Sequence, residues 1–217
     1  MAKSNIIILI PSYNELVSLK KFLPLLNKHY KFLVVNDCST DKTLKYLKEK
    51  KYPFVNSNEK NGYEKTLIFG IKYVLKKFRH IEYIITFDGD NQFFVNDLKN
   101  FKNIIKIKKP ILIVGERKKF SRLLESIISK LFFKKFKIRD PLCGFKAYQT
   151  KILRKHLNQL KDDGYIVELT KFLVQKYKNV INIKINIRER IGKPRVGGFL
   201  RVNLKMIKLL LYIKFSN

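Results

Sequence analysis

The sequence predicts an α/β domain built on a doubly wound, mostly parallel sheet, and three observations carry that prediction. Short apolar runs alternate with longer segments of helical periodicity from Asn5 to Val114, giving the βαβαβα order of a parallel sheet. Four polar motifs follow such runs: Pro11-Ser12-Tyr13-Asn14-Glu15, Asn36-Asp37, Asp88-Gly89-Asp90 and Gly115-Glu116-Arg117. That places them at strand C-termini, the edge where open sheets of this kind bind ligands. The length of 217 residues suits one sizeable domain, with no linker long enough to separate two.

In chain order, Asn5 to Ile10 reads as a strand and Glu15 to His29 as a helix. Lys31 to Asn36 is a strand, followed by a helix over Asp41 to Lys50 capped by Ser39, Thr40 or Asp41. Phe54-Val55 is a short strand, Tyr63 to Phe78 a helix, and Tyr83 to Phe87 the strand feeding the Asp88-Gly89-Asp90 turn. Asn96 or Asp97 can cap a helix that runs to Lys108, and Ile111 to Val114 is the fifth strand. Beyond Arg117 the pattern changes. Phe120 to Ile138 carries an apolar face with Leu123, Leu124, Ile127, Leu131 and Phe132, and ends among lysines. Arg139 to Tyr148 reads as a turn-rich return, Tyr165 to Tyr177 as a helix, Val180 to Ile187 as a strand and Phe199 to Phe215 as a final helix.

Lysine and arginine number 47 against 17 acidic residues, a formal charge of +30 that invites an anionic partner. The lysines are scattered instead of forming one basic tail, and no RRM, KH, zinc-finger or homeodomain signature is present, so a nucleic-acid partner is not expected. A hydrophobic content of 46% excludes a disordered polycation. The two cysteines, Cys38 and Cys143, have no metal-ligand spacing, which fits a reducing compartment. No signal-peptide pattern opens the chain and no stretch approaches 18 apolar residues, so a cytoplasmic protein without a membrane span is expected.

The chemistry begins at Asp88 and Asp90. Two aspartates one residue apart, just past a buried strand, can both reach one divalent cation. Gly89 between them lets the backbone approach a bulky ligand. Hard cations such as Mg²⁺ take carboxylate oxygens together with the oxygens of a phosphorylated substrate. An isolated turn of this sequence is equally a solvated glycine turn, so the reading depends on the other motifs.

Those motifs, in order, resemble the family 2 glycosyltransferases of the GT-A fold. Ile10-Pro11-Ser12-Tyr13-Asn14-Glu15 matches P-[ST]-Y-N-E. Val34 to Thr43 matches V-V-D-D-G-S-T-D-x-T, with Asn36 for the first Asp and Cys38 for Gly. Asn61 to Leu67 resembles N-x-G-Y-G-x-A-L, with Glu64 where Gly is usual. Asp88 to Gln92 resembles D-A-D-L-Q, and Asp140 to Tyr148 is similar to D-x-x-S-G-F-[RK]-A-[YF], with Cys143 in place of Ser. Within the family the chain looks most like the dolichyl-phosphate mannosyltransferase and polyprenyl-phosphate glycosyltransferase group.

That resemblance implies a Rossmann-like GT-A domain over 1–198, with 118–138 as an amphipathic acceptor-side segment and 199–217 as a C-terminal amphipathic basic helix. It implies a GDP- or UDP-sugar donor, Mg²⁺ or Mn²⁺ as cofactor and a polyprenyl phosphate acceptor. Pro11, Tyr13 and Glu15 then fall at the nucleoside, with Asp37 facing the base. Asp88 and Asp90 take the metal and diphosphate, Gln92 is a third contact, and Lys193 and Arg195 close over the diphosphate. Arg117 and Arg139 cradle the acceptor phosphate and, with Asp90, make up the catalytic set. A solvated 190–198 loop and a plain surface role for Arg139 stay open. So does a glycan hydroxyl acceptor, which would need a general base from Asp140 or Glu168. Arg201, Lys205 and Lys208 form a basic stripe at i, i+4 and i+7, suited to an in-plane helix on anionic lipid. The expected location is the inner face of the membrane, held peripherally or through an integral-membrane partner.

Overall fold

A computed structural model of the chain describes residues 5–120, 122–159, 166–190 and 206–211. Strand β1, Ile6–Ser12, sets the architecture, because every one of its residues is buried. Ile6, Ile8 and Ile10 enter one hydrophobic cluster, and Ile7 and Leu9 enter another. Side chains alternate across a strand, so an unbroken apolar run is what a sheet covered on both faces requires. Helices α1 (Leu16–His29) and α4 (Asp97–Lys108) cover the first face with Leu19, Phe22, Leu23, Leu98 and Phe101. Helices α3 (Tyr63–Lys77), α5 (Leu123–Phe136) and α7 (Ile166–Lys176) cover the second with Leu67, Ile71, Ile128, Phe132 and Leu169.

The other strands are β2 (Phe32–Asn36), β3 (Phe54–Asn56), β4 (Tyr83–Thr86), β5 (Leu112–Arg117), β6 (Lys146–Gln149) and β7 (Val180–Ile185). They form one sheet in the order β3-β2-β1-β4-β6-β5-β7. The chain winds outward from β1 to β2 and β3, then returns to pair β4 with the opposite side of β1. The winding therefore reverses between β1 and β4, and the crevice beyond their carboxyl ends is where such sheets receive ligands. The expected fold class holds.

Several local expectations are corrected. The segment read as a turn-rich return contains β6, which runs antiparallel between β4 and β5 with Ala147 opposite both Ile85 and Ile113. Lys146-Ala147-Tyr148-Gln149 has no apolar run to betray it; its neighbours bury it. Helix α6, Thr150–Lys155, follows it directly. Strand β5 continues through Arg117, which pairs with Ile185 of β7, so Gly115-Glu116-Arg117 belong to the strand. Strand β7 stops at Ile185, and Ile187 instead bridges to Phe93. At the start of α2 (Thr43–Glu49), Asp41 accepts the Thr43 amide at 2.9 Å, while the Thr40 amide and hydroxyl are engaged by Asn14. Asn96 takes the N-cap position of α4 but makes no side-chain cap hydrogen bond, and Asp97, the first helical residue, accepts the Asn186 amide at 3.4 Å. Of the expected final helix, residues 206–211 are described and helical. Arg201 and Lys205 lie outside the described residues. No helix among the described residues is long and apolar enough to cross a membrane.

Candidate active site

The Asp88-Gly89-Asp90 turn rests on an aromatic floor. Phe87, directly before it, packs at 5.3 Å from Phe145 and 5.6 Å from Phe93, and Phe145 stacks on Phe101 at 4.1 Å. Rings locked this way fix both the turn and its neighbour Gly144. A Cβ on Gly144 would lie 2.2 Å from Asp88 Oδ2, so the carboxylate fills the space a side chain would take. A Cβ on Gly89 would lie 2.8 Å from the Pro11 carbonyl, which shows how closely the turn packs on the end of β1. Tyr63 donates its hydroxyl to Asp88 Oδ1 at 2.8 Å. Desolvation, with Asp88 and Glu64 nearby, holds that phenol protonated well above its ordinary value. Burial and then the charge of Asp90 push the Asp88 carboxyl well above the usual carboxylate range. Lys146 is buried beneath this group and donates to the Pro141 carbonyl at 2.8 Å. Asp90 Oδ1 accepts the Gln92 amide at 3.1 Å, so Gln92 supports the turn through its backbone.

The first and second loops are clamped together by Asn14, whose backbone is left-handed at φ 54°. Its Oδ1 accepts the amides of Thr40 at 2.7 Å and Asp41 at 3.2 Å. Cys38 also sits at φ 54°, the conformation glycine adopts without strain and the position where the motif usually has one. Asp37 is buried with both oxygens engaged: Oδ1 accepts Ser57 Oγ at 3.0 Å and the Asn61 amide at 2.8 Å, and Oδ2 the Gly62 amide at 2.8 Å. It thereby ties the 57–62 loop to the end of β2. Tyr13 is half-buried with the Lys60 ammonium 4.2 Å from its ring centroid, and hydrogen bonding to Lys60 lowers its phenol. Glu15, buried at the start of α1, accepts Ser18 Oγ at 3.0 Å and Arg190 at 3.0 Å. Arg190 also lies 3.4 Å from Asp90 Oδ2.

The two arginines read alike from sequence differ in the structure. Arg117 forks onto Asp140, with Nε 2.7 Å from Oδ2 and a terminal nitrogen 3.0 Å from Oδ1, and it lies 3.4 Å from Glu125. Its side chain is 16% exposed and that of Asp140 is 0%. Arg139 is 55% exposed, pairs loosely with Glu116 at 3.7 Å and lies 4.6 Å from the Phe133 ring centroid. Burial pushes the Cys143 thiol up to about 12, so the residue at the usual serine position is an inert thiol.

The fold thus brings Pro11, Glu15, Asp88 and Asp90 together at the reversal point, with Tyr13 and Asp37 on the adjoining first and second loops that Asn14 links. Arg117 and Asp140 form the other wall, and Arg139 stands further out. Glu168 is half-buried in the first turn of α7. Lys193 and Arg195 lie outside the described residues. Tyr63, Lys146, Gly144, Asn14 and Arg190 were not singled out from the sequence. All five lie in or beside the motifs; the partners of Tyr63, Gly144, Asn14 and Arg190 are distant in the chain, and Lys146 reaches Pro141 only because the 140–145 turn folds back, so local pattern could not reveal them.

Among the described residues, no group of three or more His, Cys, Asp or Glu side chains converges to hold a metal ion. Asp88 and Asp90 supply two hard carboxylate groups. Mg²⁺ characteristically takes one or two carboxylates plus substrate phosphates instead of a dedicated protein cage. The donor set fits a divalent cation that arrives with a diphosphate.

The family model described as glycosyl transferase family 2 matches residues 7–209. The chain belongs to this family. No curated protein matches it. Among solved structures, this glycosyltransferase is similar to glucosyl-3-phosphoglycerate synthase from Mycobacterium tuberculosis in complex with Mn²⁺, UDP and glucosyl-3-phosphoglycerate. That likeness has a TM-score of 0.65 at 12% identity, over 99% of this chain and 80% of that one. It is also similar to S. aureus TarS 1-349 in complex with UDP-GlcNAc, with a TM-score of 0.64 at 13% identity, over 97% of this chain and 66% of that one. Identities this low speak for the shared GT-A fold alone.

Proposed function

We propose that this family 2 glycosyltransferase inverts a sugar as it moves it from a UDP- or GDP-linked donor to a polyprenyl phosphate, for cell-surface glycan or glycolipid synthesis. The observation that carries the reading is the convergence of Asp88, Asp90 and Glu15 at the reversal point of the sheet. Tyr13 and Glu15 would hold the base and ribose, while Asp37 shapes the loop against which the base rests. Asp88 and Asp90 would hold Mg²⁺ or Mn²⁺, with Gln92 beside them, and Lys193 and Arg195 would meet the diphosphate. When bound, the cation stabilises the charge of the departing nucleoside diphosphate. Support for metal and nucleotide comes from the similar structures, whose complexes contain Mn²⁺, UDP and UDP-GlcNAc.

The acceptor phosphate oxygen forms the new bond to the anomeric carbon, and the old bond's electrons leave with the diphosphate. A phosphate oxygen is already anionic, so no side chain has to remove a proton. That agrees with the commitment of Asp140 to Arg117, which makes Asp140 a poor general base. Arg139 and the exposed Lys118 and Lys119 would draw in the acceptor phosphate, while Arg117 frames the cradle through Asp140. Helix α5 supports a lipid-borne acceptor. Leu123, Ile127 and Leu131 are 79%, 38% and 37% exposed along one stripe, beside exposed Lys130, Lys134 and Lys135. An apolar stripe edged with lysine suits peripheral binding to an anionic membrane at its inner face. An integral-membrane partner would serve the same end.

The test is a panel of UDP- and GDP-sugars offered with and without polyprenyl phosphate, for the parent and for Asp90→Asn. Transfer should need Mg²⁺ or Mn²⁺ and should fall by about 10²-fold or more in the variant, as when a principal electrostatic stabiliser is lost. Full activity in EDTA would defeat the metal assignment. Transfer to a glycan hydroxyl but not to the lipid phosphate would replace the acceptor and point to Glu168 as base.

A further inference from the structure

Beyond β7 the chain is tied back across the Asp88-Gly89-Asp90 turn. The Asn186 amide reaches Asp97, Ile187 bridges to Phe93, and the Arg188 amide donates to the Gln92 carbonyl at 2.8 Å. The Arg188 guanidinium donates to Asn91 Oδ1 at 3.1 Å and lies 4.0 Å from the Phe94 ring centroid. These ties deliver Arg190 between two carboxylates from different elements. One terminal nitrogen is 3.0 Å from Glu15 Oε1 and the other is 3.4 Å from Asp90 Oδ2. The arginine side chain is 24% exposed, and those of Glu15 and Asp90 are 7% and 10%. Its Nε is buried with no hydrogen-bond partner. A buried donor left unmade is costly, so this pairing leaves one arm of the guanidinium unsatisfied.

We propose that Arg190 is a resident cation of the donor site. It holds Asp90 and Glu15 before the donor arrives, and passes to the donor diphosphate when Asp90 takes up the metal. The inference rests on the reading of Asp90 as a metal ligand. The Asp90 oxygen that faces Arg190 cannot face a divalent cation at full strength while the guanidinium remains. Arg190 has to withdraw for that carboxylate to coordinate. A diphosphate entering with the cation offers the planar fork an equivalent anionic partner, and the orphaned Nε a chance of an acceptor. Arg190 therefore opposes metal without nucleotide and favours metal with nucleotide, which makes the two bind synergistically.

The experiment measures Mn²⁺ binding to the full chain by electron paramagnetic resonance, first alone and then with saturating UDP or GDP. Arg190→Gln should bind Mn²⁺ alone about tenfold more tightly than the parent, the scale of one competing charge-assisted contact. It should also lose most of the gain that nucleotide confers. Arg190→Lys keeps the charge without the fork and should fall between the two, so it decides the matter if Arg190→Gln does not fold. Equal or weaker Mn²⁺ affinity in the variants, including no binding without nucleotide to any of them, overturns the role of Arg190. If the parent takes no Mn²⁺ even with nucleotide, the metal reading of Asp90 fails and this inference with it. Nucleotide-dependent Mn²⁺ binding that is unchanged by either substitution removes Arg190 alone.

Discussion

Gly144→Ala isolates the contact on which the candidate site rests. The new methyl would lie 2.2 Å from Asp88 Oδ2, 2.4 Å from Oδ1 and 2.6 Å from Cγ. Ordinary carbon–oxygen contacts are more than an ångström longer, so something must move. The backbone at Gly144 is pinned by Phe145, which stacks on Phe101 at 4.1 Å with an interplanar angle of 3°. The Gly144 carbonyl also accepts the Thr86 hydroxyl at 2.6 Å. Asp88, a short side chain rotating about two bonds, gives way first. Off-rotamer rotation costs about 0.5–1.5 kcal/mol, and loss of the 2.8 Å bond from Tyr63 adds about 1.5 kcal/mol. The total of roughly 2–3 kcal/mol corresponds to a Tm fall of about 4–12 °C for a chain of this size. Activity should suffer far more, since displacing a positioned group by about 1 Å can lower turnover by about 10²-fold. The decisive pattern is a folded protein at assay temperature with kcat/KM for sugar transfer down by two orders of magnitude. A variant within threefold of the parent would refute the claim that Gly144 holds Asp88 in its working position. Unfolding at assay temperature would show that the backbone, not Asp88, yields.

Arg117→Ala should destabilise the fold more than it impairs donor binding, because it strands a fully buried Asp140; removing one partner of a buried pair costs about 3–5 kcal/mol. Thermal unfolding checks this, and replacing both partners, as Arg117→Met with Asp140→Leu, should restore much of the loss. Arg139→Ala should leave the melting temperature unchanged and weaken transfer to polyprenyl phosphate by about ten- to a hundred-fold, as for one charge-assisted phosphate contact. Calorimetric titration of the donor, run beside the transfer kinetics, should show donor affinity intact. Replacing Lys130, Lys134 and Lys135 with Gln should weaken binding to anionic vesicles by roughly 10²-fold, at about 1 kcal/mol per basic residue; co-sedimentation equal to the parent's would remove α5 as the membrane face.

The parts of this molecule legible in the sequence are those governed by local period. Ile6 to Ile10 is a covered strand because five successive apolar residues leave it no solvated face, and Tyr63 to Phe78 shows its helix through one buried stripe. Strand β6 is invisible at that range. Lys146 and Gln149 have no business in a central strand by propensity, and β6 exists because β4 and β5 supply its partners. The candidate site divides in the same way. Its motifs lie on loops that sequence can locate, but the contacts that shape them join distant positions: Tyr63 to Asp88 across 25 residues and Arg190 to Glu15 across 175.

Arg117 and Arg139 carry the same division into the chemistry. Sequence sets them side by side as two phosphate-binding arginines of the same loop system, and nothing in residue type distinguishes them. The fold separates them by what lies within reach. Asp140 is buried and must be neutralised, and Arg117, the last residue of β5, is the cation that meets it in a two-point fork. A guanidinium held that way in low dielectric cannot be lent to a substrate without leaving a bare carboxylate behind. Arg139 faces water, holds Glu116 at 3.7 Å and lies over Phe133, so an incoming phosphate has only a weak rival. On the proposed reading the acceptor charge would fall to Arg139, while Arg117 keeps Asp140 neutralised and in place.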